Sequence, residues 1–131
     1  MKYFTIKELC QSSTATQKGI DNTPNSEIVN NLTQLVDNIL DPLREEYGKP
    51  IEVNSGYRCD ALNKAVGGSK TSYHRFGLAA DITAGNKFEN KKLFILVQTL
   101  NLPYDQLIDE KGYSWIHISF STKPRKQILH L

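Results

Sequence analysis

The chain has 131 residues, of which 39% are hydrophobic and 23% are charged, and its formal net charge at pH 7 is +2. These proportions exclude a disordered chain, and the length is sufficient for one domain with a core that needs no metal or disulfide crosslinks. The small positive charge does not by itself indicate a nucleic-acid partner, and no apolar run approaches the roughly 18 residues of a membrane span.

The N-terminal third of the sequence predicts two helices. Thr5 and Glu8 have the spacing of a capping box, so a short helix should begin at Thr5. Thr23, followed by a proline, predicts the start of a longer helix, in which apolar residues recur at helical period over residues 28–43. Gly48 is placed to end this helix. We expect it to be the main helix of the core.

The remaining sequence predicts strands that alternate with helices. Strands are predicted where apolar and branched residues alternate or cluster, and the last two should form a hairpin around Lys111 and Gly112. The predicted strands are residues 51–55, 78–83, 104–110 and 113–120, and the predicted helices are residues 60–66 and 90–100. The fold class is therefore α+β, with one domain over residues 1–131 and a small, mainly antiparallel sheet packed against helices.

Asp81 lies inside the apolar strand predicted over residues 78–83. A buried carboxylate needs compensation, because an unpaired one costs several kcal/mol. A salt bridge to Arg58 or Arg75, or a helix or turn cap, would supply it. A cation shared with His74 and His117 is the other solution, since two imidazoles and one carboxylate leave Zn²⁺ a fourth position for water.

The last predicted strand places its histidine away from the core. Its residues alternate, so that Ile116 and Ile118 share one face while Trp115 and His117 share the other. The isoleucine face is the core face. His117 is therefore expected on the open face of the sheet, beside a tryptophan.

The segment SGYRCDALNKAVGGSKTSYHRFGLAADI, residues 55–82, resembles the core of the zinc D-Ala-D-Ala carboxypeptidases and related peptidoglycan peptidases. Their signature Ser-x-His-x-x-Gly-x-Ala-x-Asp is matched at Ser72, His74, Gly77, Ala79 and Asp81, and their later Trp-x-His is matched at Trp115 and His117. The hedgehog signalling domain shares this fold and metal pattern. The resemblance covers nearly the whole chain and implies a hedgehog/D,D-peptidase-like fold.

The resemblance also implies roles for individual residues. It implies one Zn²⁺ per chain, bound by His74, Asp81 and His117. Arg58 matches the catalytic arginine that grips a substrate carboxylate or polarises the scissile carbonyl, a task that suits its planar fork. The positions that would bind substrate or support the metal site are Ser72, Tyr57, Tyr73 and Trp115.

The residue that would act as general base is not at the position where much of the family carries it. Many relatives carry an acidic residue three positions before the last histidine, where this chain has Ser114, which cannot accept a proton at neutral pH. In other branches the carboxylate comes from the preceding strand of the hairpin. Glu110 ends that strand, whereas Asp109 alternates to its other face, so Glu110 is the expected base.

The function implied is zinc-dependent hydrolysis of a peptide bond in the stem or crosslink of bacterial peptidoglycan, with carboxypeptidase and endopeptidase action both open. The sequence shows no signal peptide, so we expect the protein to stay cytoplasmic until it is released onto the cell wall, as a phage or prophage lysis enzyme does. We also expect a monomer. The alternative, favoured by Ser114, is a non-catalytic zinc-binding module that serves wall or protein binding. Nucleic acid is not an expected partner, because no aromatic residues interleave the basic run at residues 121–127.

Overall fold

The computed structural model describes residues 1–131, and its centre is a five-stranded sheet with the order β1-β2-β4-β3-β5. The strands are β1 (Glu52–Ser55), β2 (Ala79–Thr83), β3 (Tyr104–Glu110), β4 (Trp115–Phe120) and β5 (Gln127–His130). Neighbouring strands are antiparallel except for β3 and β5, which are parallel. The structure confirms the predicted α+β class and the mainly antiparallel sheet.

Six α-helices accompany the sheet. They are α1 (Ile6–Cys10), α2 (Ser13–Lys18), α3 (Ser26–Leu35), α4 (Asp41–Tyr47), α5 (Asp60–Ala65) and α6 (Lys87–Thr99). The capping box at Thr5 is confirmed, since its side chain accepts from the Glu8 amide and the Glu8 side chain accepts from the Thr5 amide. None of the helices is long and apolar enough to cross a membrane.

The start predicted for the long helix at Thr23 is wrong. Asn25 caps α3, because its side chain accepts a hydrogen bond from the Ile28 amide at 2.9 Å. The Thr23 hydroxyl instead donates to Asp21 at 2.6 Å, which stabilises the turn before the helix. Both residues are good caps, and this local competition decides which one is used.

The long helix is continuous in sequence but not in pitch. A π-helical turn at Val36–Leu40 separates α3 from α4, and Pro42 follows in the first turn of α4. A proline inside a helix lacks an amide donor and clashes with the preceding turn, and a wider turn relieves both problems. Gly48 ends α4 with φ of 76°, as predicted.

The two faces of the sheet differ in character, which places the candidate site. Ile82, Ile116 and Ile118 are fully buried on the core face, in one cluster with apolar side chains of α3 and α6. Alternation turns Asp81 and His117 to the opposite face. The polar residues of β2 and β4 are thus presented together on a surface that the long helices leave free.

Two features of the C-terminal third differ from the sequence expectation. The hairpin turn between β3 and β4 spans residues 111–114 rather than two residues, because Lys111, Gly112 and Tyr113 all adopt positive φ. Strand β5 was not predicted, because its four residues follow a basic run that has the composition of a loop. It pairs with β3 from Gln106 to Asp109.

Candidate active site

Asp81 and His117 face each other across neighbouring strands. They are directly opposite in the antiparallel register of β2 and β4, and such pairs bring their side chains into contact. His117 Nδ1 lies 2.9 Å from Asp81 Oδ1. The side chain of each is 13% exposed, so the pair is largely removed from water but open on one side.

His74 reaches the same carboxylate from a loop. It lies in a short 3₁₀ helix, Tyr73–Phe76, which Ser72 caps by accepting a hydrogen bond from the His74 amide and which Gly77 ends with φ of 72°. The His74 ring is buried, and its Nδ1 lies 2.7 Å from the carbonyl oxygen of Gly56. A carbonyl can only accept, so Nδ1 donates and the ring orientation is fixed.

The three side chains fit a metal ion. With Nδ1 donating to the Gly56 carbonyl, His74 Nε2 is directed at Asp81 Oδ1 at 3.2 Å, a contact that either a second proton on the ring or a metal ion can bridge. The ligand atoms of His74, Asp81 and His117 all lie within 4.8 Å of one another. A tetrahedral site with bonds of ~2.0 Å separates ligand atoms by roughly 3.3 Å, close to the 3.2 and 2.9 Å that separate Asp81 Oδ1 from His74 Nε2 and His117 Nδ1.

The charge state of Asp81 agrees with this role. Burial opposes its ionisation, but hydrogen bonds with His117 and His74, and the charges of these rings, hold the pKa of the carboxyl well below its usual range. Asp81 is therefore an anion at neutral pH. A carboxylate in this state can offer an oxygen to a divalent ion without first losing a proton.

Arg58 is held beside the three possible ligands. Its Nε donates to Ser55 Oγ at 3.1 Å, its Nη1 to Asn63 Oδ1 at 3.4 Å and its Nη2 to Asp81 Oδ2 at 3.5 Å. The contact with Asp81 is long, so Arg58 assists the histidines rather than replacing them as the partner of the carboxylate.

The other salt bridge considered for Asp81 is absent. The Arg75 guanidinium pairs with Asp60 at 3.0 Å instead. The sequence left open whether an arginine or a cation shared with the histidines compensates the Asp81 carboxylate. In the structure this carboxylate contacts Arg58 and both histidines.

Glu110 lies on the same face of the sheet as His117. It pairs with Trp115 across the hairpin, and the indole Nε1 donates to Glu110 Oε2 at 2.8 Å. Asp109 points to the other face, where it contacts His130. Ser114 belongs to the turn, where its hydroxyl donates to the Lys111 carbonyl.

A cavity of about 610 Å³, called the site cavity below, collects these groups. It is lined by Arg58, Ser69, Thr71, Ser72, Tyr73, His74, Asp81, Gln106, Ile108, Glu110, His117 and Arg125. Trp115 adjoins it through Glu110. Tyr57 does not line it and instead borders a smaller cavity on the other side of Arg58.

Four polar residues of the site cavity were missed from the sequence: Ser69, Thr71, Gln106 and Arg125. Gln106 looked like an ordinary strand position. Arg125 looked like part of a solvated basic run, and only the unexpected pairing of β5 with β3 brings that run back to the site cavity.

Known proteins share this chain's sequence pattern. The family model described as Peptidase M15 matches residues 2–119. The zinc D-Ala-D-Ala carboxypeptidase of Streptomyces albus G is 45% identical over 49 residues, which are 37% of this chain and 19% of that enzyme. The similarity to that enzyme is therefore local, whereas the family match spans nearly the whole chain. On that match, the chain belongs to the Peptidase M15 family.

Proposed function

We propose that this protein is a zinc-dependent peptidase that hydrolyses a peptide bond of bacterial peptidoglycan. The observation that carries the proposal is the convergence of His74, Asp81 and His117 in a cavity that also contains Glu110 and Arg58. Membership of the Peptidase M15 family supports peptidase action, and the name of the Streptomyces relative supports zinc and a D-Ala-D-Ala substrate.

The residues around the cluster supply the rest of the chemistry. A bound Zn²⁺ would act as a Lewis acid and lower the pKa of water toward ~7. Glu110, oriented by the indole of Trp115, accepts a proton from the attacking water and passes it to the leaving amine. Arg58, fixed by Ser55 and Asn63, donates to the oxygen of the scissile carbonyl as negative charge develops there.

The hydrogen bond from His74 to the Gly56 carbonyl has a supporting role. It fixes the tautomer that leaves Nε2 free to bind the metal and limits rotation of the ring. The Ser72 hydroxyl accepts a hydrogen bond from the His74 amide and so holds in place the loop that carries His74. The site is thereby preorganised by backbone contacts as well as by the sheet.

The test is digestion of defined muropeptides, with the products weighed by mass spectrometry. We expect loss of a terminal D-alanine or cleavage of a crosslink, abolished by a chelator and restored by Zn²⁺. The mass of the product distinguishes a carboxypeptidase from an endopeptidase. Tight zinc binding without any product would instead identify the non-catalytic binding module.

The setting in which the protein meets its substrate stays a prediction. We propose action on the cell wall as a monomer, in the manner of a phage or prophage lysis enzyme. Lysis of susceptible cells from outside, or from within when a membrane-permeabilising protein is co-expressed, would support this setting. Intact cells under both conditions, with active enzyme present, would contradict it.

A further inference from the structure

Arg125 is a cationic residue of the site cavity that the mechanism above does not use. It lies between β4 and β5, beyond residues 2–119 that match the family model. It nevertheless lines the same cavity as His117 and Glu110. We therefore ask which anionic groups, in the protein or in a substrate, the Arg125 guanidinium can bind.

A bulge in β3 explains how Arg125 is held there. Tyr104 pairs with Phe120 and Leu107 pairs with Ile118, so Asp105 and Gln106 together oppose the single residue Ser119. Such a bulge adds one residue to a strand and re-aims its side chains. The Gln106 amide completes the distortion by donating to the Ser119 hydroxyl at 3.0 Å.

Asp105 fixes Arg125 at two points. Its carboxylate accepts from the Arg125 amide at 3.0 Å, and from Nε and Nη2 of the guanidinium at 3.1 and 2.7 Å. The side chain of Asp105 is 2% exposed, whereas that of Arg125 is 57% exposed. A buried carboxylate therefore anchors one edge of an accessible guanidinium.

The opposite edge of this guanidinium has no acceptor in the protein. Nη1 makes no hydrogen bond, although a guanidinium has five N–H donors. Free donors on a preorganised planar cation bind carboxylates well, because little side-chain freedom is lost on binding. Arg58, by contrast, donates from all three of its nitrogens within the protein and keeps one further N–H on each of Nη1 and Nη2.

Arg125 and Glu110 place opposite charges toward the two ends of the site cavity. Ile108 pairs with His117 and marks the level of the metal cluster on β3, with Glu110 two residues to one side and Gln106 two residues to the other. The cavity thus has a carboxylate at one end, the metal ligands in the middle and Arg125 toward the other end.

We propose that Arg125 is a specificity-determining residue that binds a second carboxylate of the peptide substrate, on the Gln106 side of the scissile bond. This inference rests on the proposed peptidase function. The substrate class is thereby narrowed to acidic peptides, in which one carboxylate lies away from the bond that is cut.

The experiment uses a series of stem-peptide analogues in which each carboxylate in turn is replaced by a carboxamide. For one analogue, we expect kcat/KM of the wild-type protein to fall about tenfold, mainly through KM, as is typical for loss of a charged hydrogen bond. The same replacement should have no effect in Arg125→Gln. Arg125→Lys should recover part of the discrimination.

Lys123→Gln is the matched control, since it removes the same charge from the same segment at an exposed residue that does not line the site cavity. It should discriminate between the analogues as the wild type does. If Arg125→Gln also keeps the full discrimination while its melting temperature falls, Arg125 only anchors β5 and the proposal is overturned.

A binding measurement separates failure of this inference from failure of the proposed function. Calorimetry on Glu110→Gln with the carboxylate and carboxamide peptides should show the same tenfold difference, which Arg125→Gln removes in that background. If the wild type cleaves none of the peptides, the peptidase proposal fails, and the affinities still decide the role of Arg125. Equal affinities for both peptides would refute it.

Discussion

Replacement of Glu110 by glutamine separates the proposed proton transfer from metal binding and folding. Glutamine has the same shape, and its amide oxygen can still accept the hydrogen bond that Trp115 Nε1 donates at 2.8 Å. It is neutral and cannot accept a proton. Loss of a general base lowers the rate by about 10² to 10⁴-fold, or roughly 3 to 5 kcal/mol in activation free energy.

The assay combines two measurements on the same sample. The rate of muropeptide cleavage should fall in this range, while bound zinc, measured by atomic absorption, should stay at one ion per chain. Glu52→Gln is a matched control, because Glu52 is an exposed residue of β1 outside the site cavity, and it should cleave at the wild-type rate. Glu110→Gln retaining more than a tenth of wild-type activity would refute Glu110 as the base.

Three further perturbations test the surroundings of the site. Arg58→Lys cannot reproduce the fork that contacts Ser55, Asn63 and Asp81, so kcat should fall about 100-fold with zinc retained; an unchanged kcat would remove Arg58 from the mechanism. Gly68→Ala would place a Cβ in overlap with the buried Asn63 Oδ1 and 3.0 Å from Arg58 Nη1, so both cleavage and thermal stability should fall, and wild-type kinetics would contradict this packing. Hydrogen bonds from Arg125 lower the pKa of Asp105, so their stabilisation is present above pH ~4 and disappears as the pH falls through the lowered pKa. Urea unfolding should therefore show Asp105→Asn less stable than wild type by about 1 to 2 kcal/mol at pH 7, with a smaller gap at pH 3; a gap independent of pH would show that charge is not its cause.

The sheet and its polar face followed from strong local patterns. Alternation in β4 predicts that His117 and Ile116 lie on opposite faces of the sheet, and alternation in β2 likewise predicts the face of Asp81. What placed the two side chains opposite each other is the register of β2 and β4, which depends on long-range pairing. The sequence predicted the members of the metal cluster through a resemblance, whereas their geometry needed the fold.

The features that were missed depend on competition or on distant contacts. Asn25 and Thr23 are both acceptable caps, and the bond from Thr23 to Asp21 decides between them. The basic run before β5 has no strand pattern, so the proximity of Arg125 to the site could not be predicted. Its anchor depends on a bulge, one extra residue in β3 that periodicity alone does not reveal.

The most direct test of the central claim is the zinc content of purified variants. The wild type and His130→Ala, which removes the only histidine outside the cluster, should each bind one zinc ion per chain. His74→Ala and His117→Ala should lose most of the metal while circular dichroism shows them folded. Full zinc occupancy in either folded variant would contradict the assignment of His74, Asp81 and His117 as the metal site.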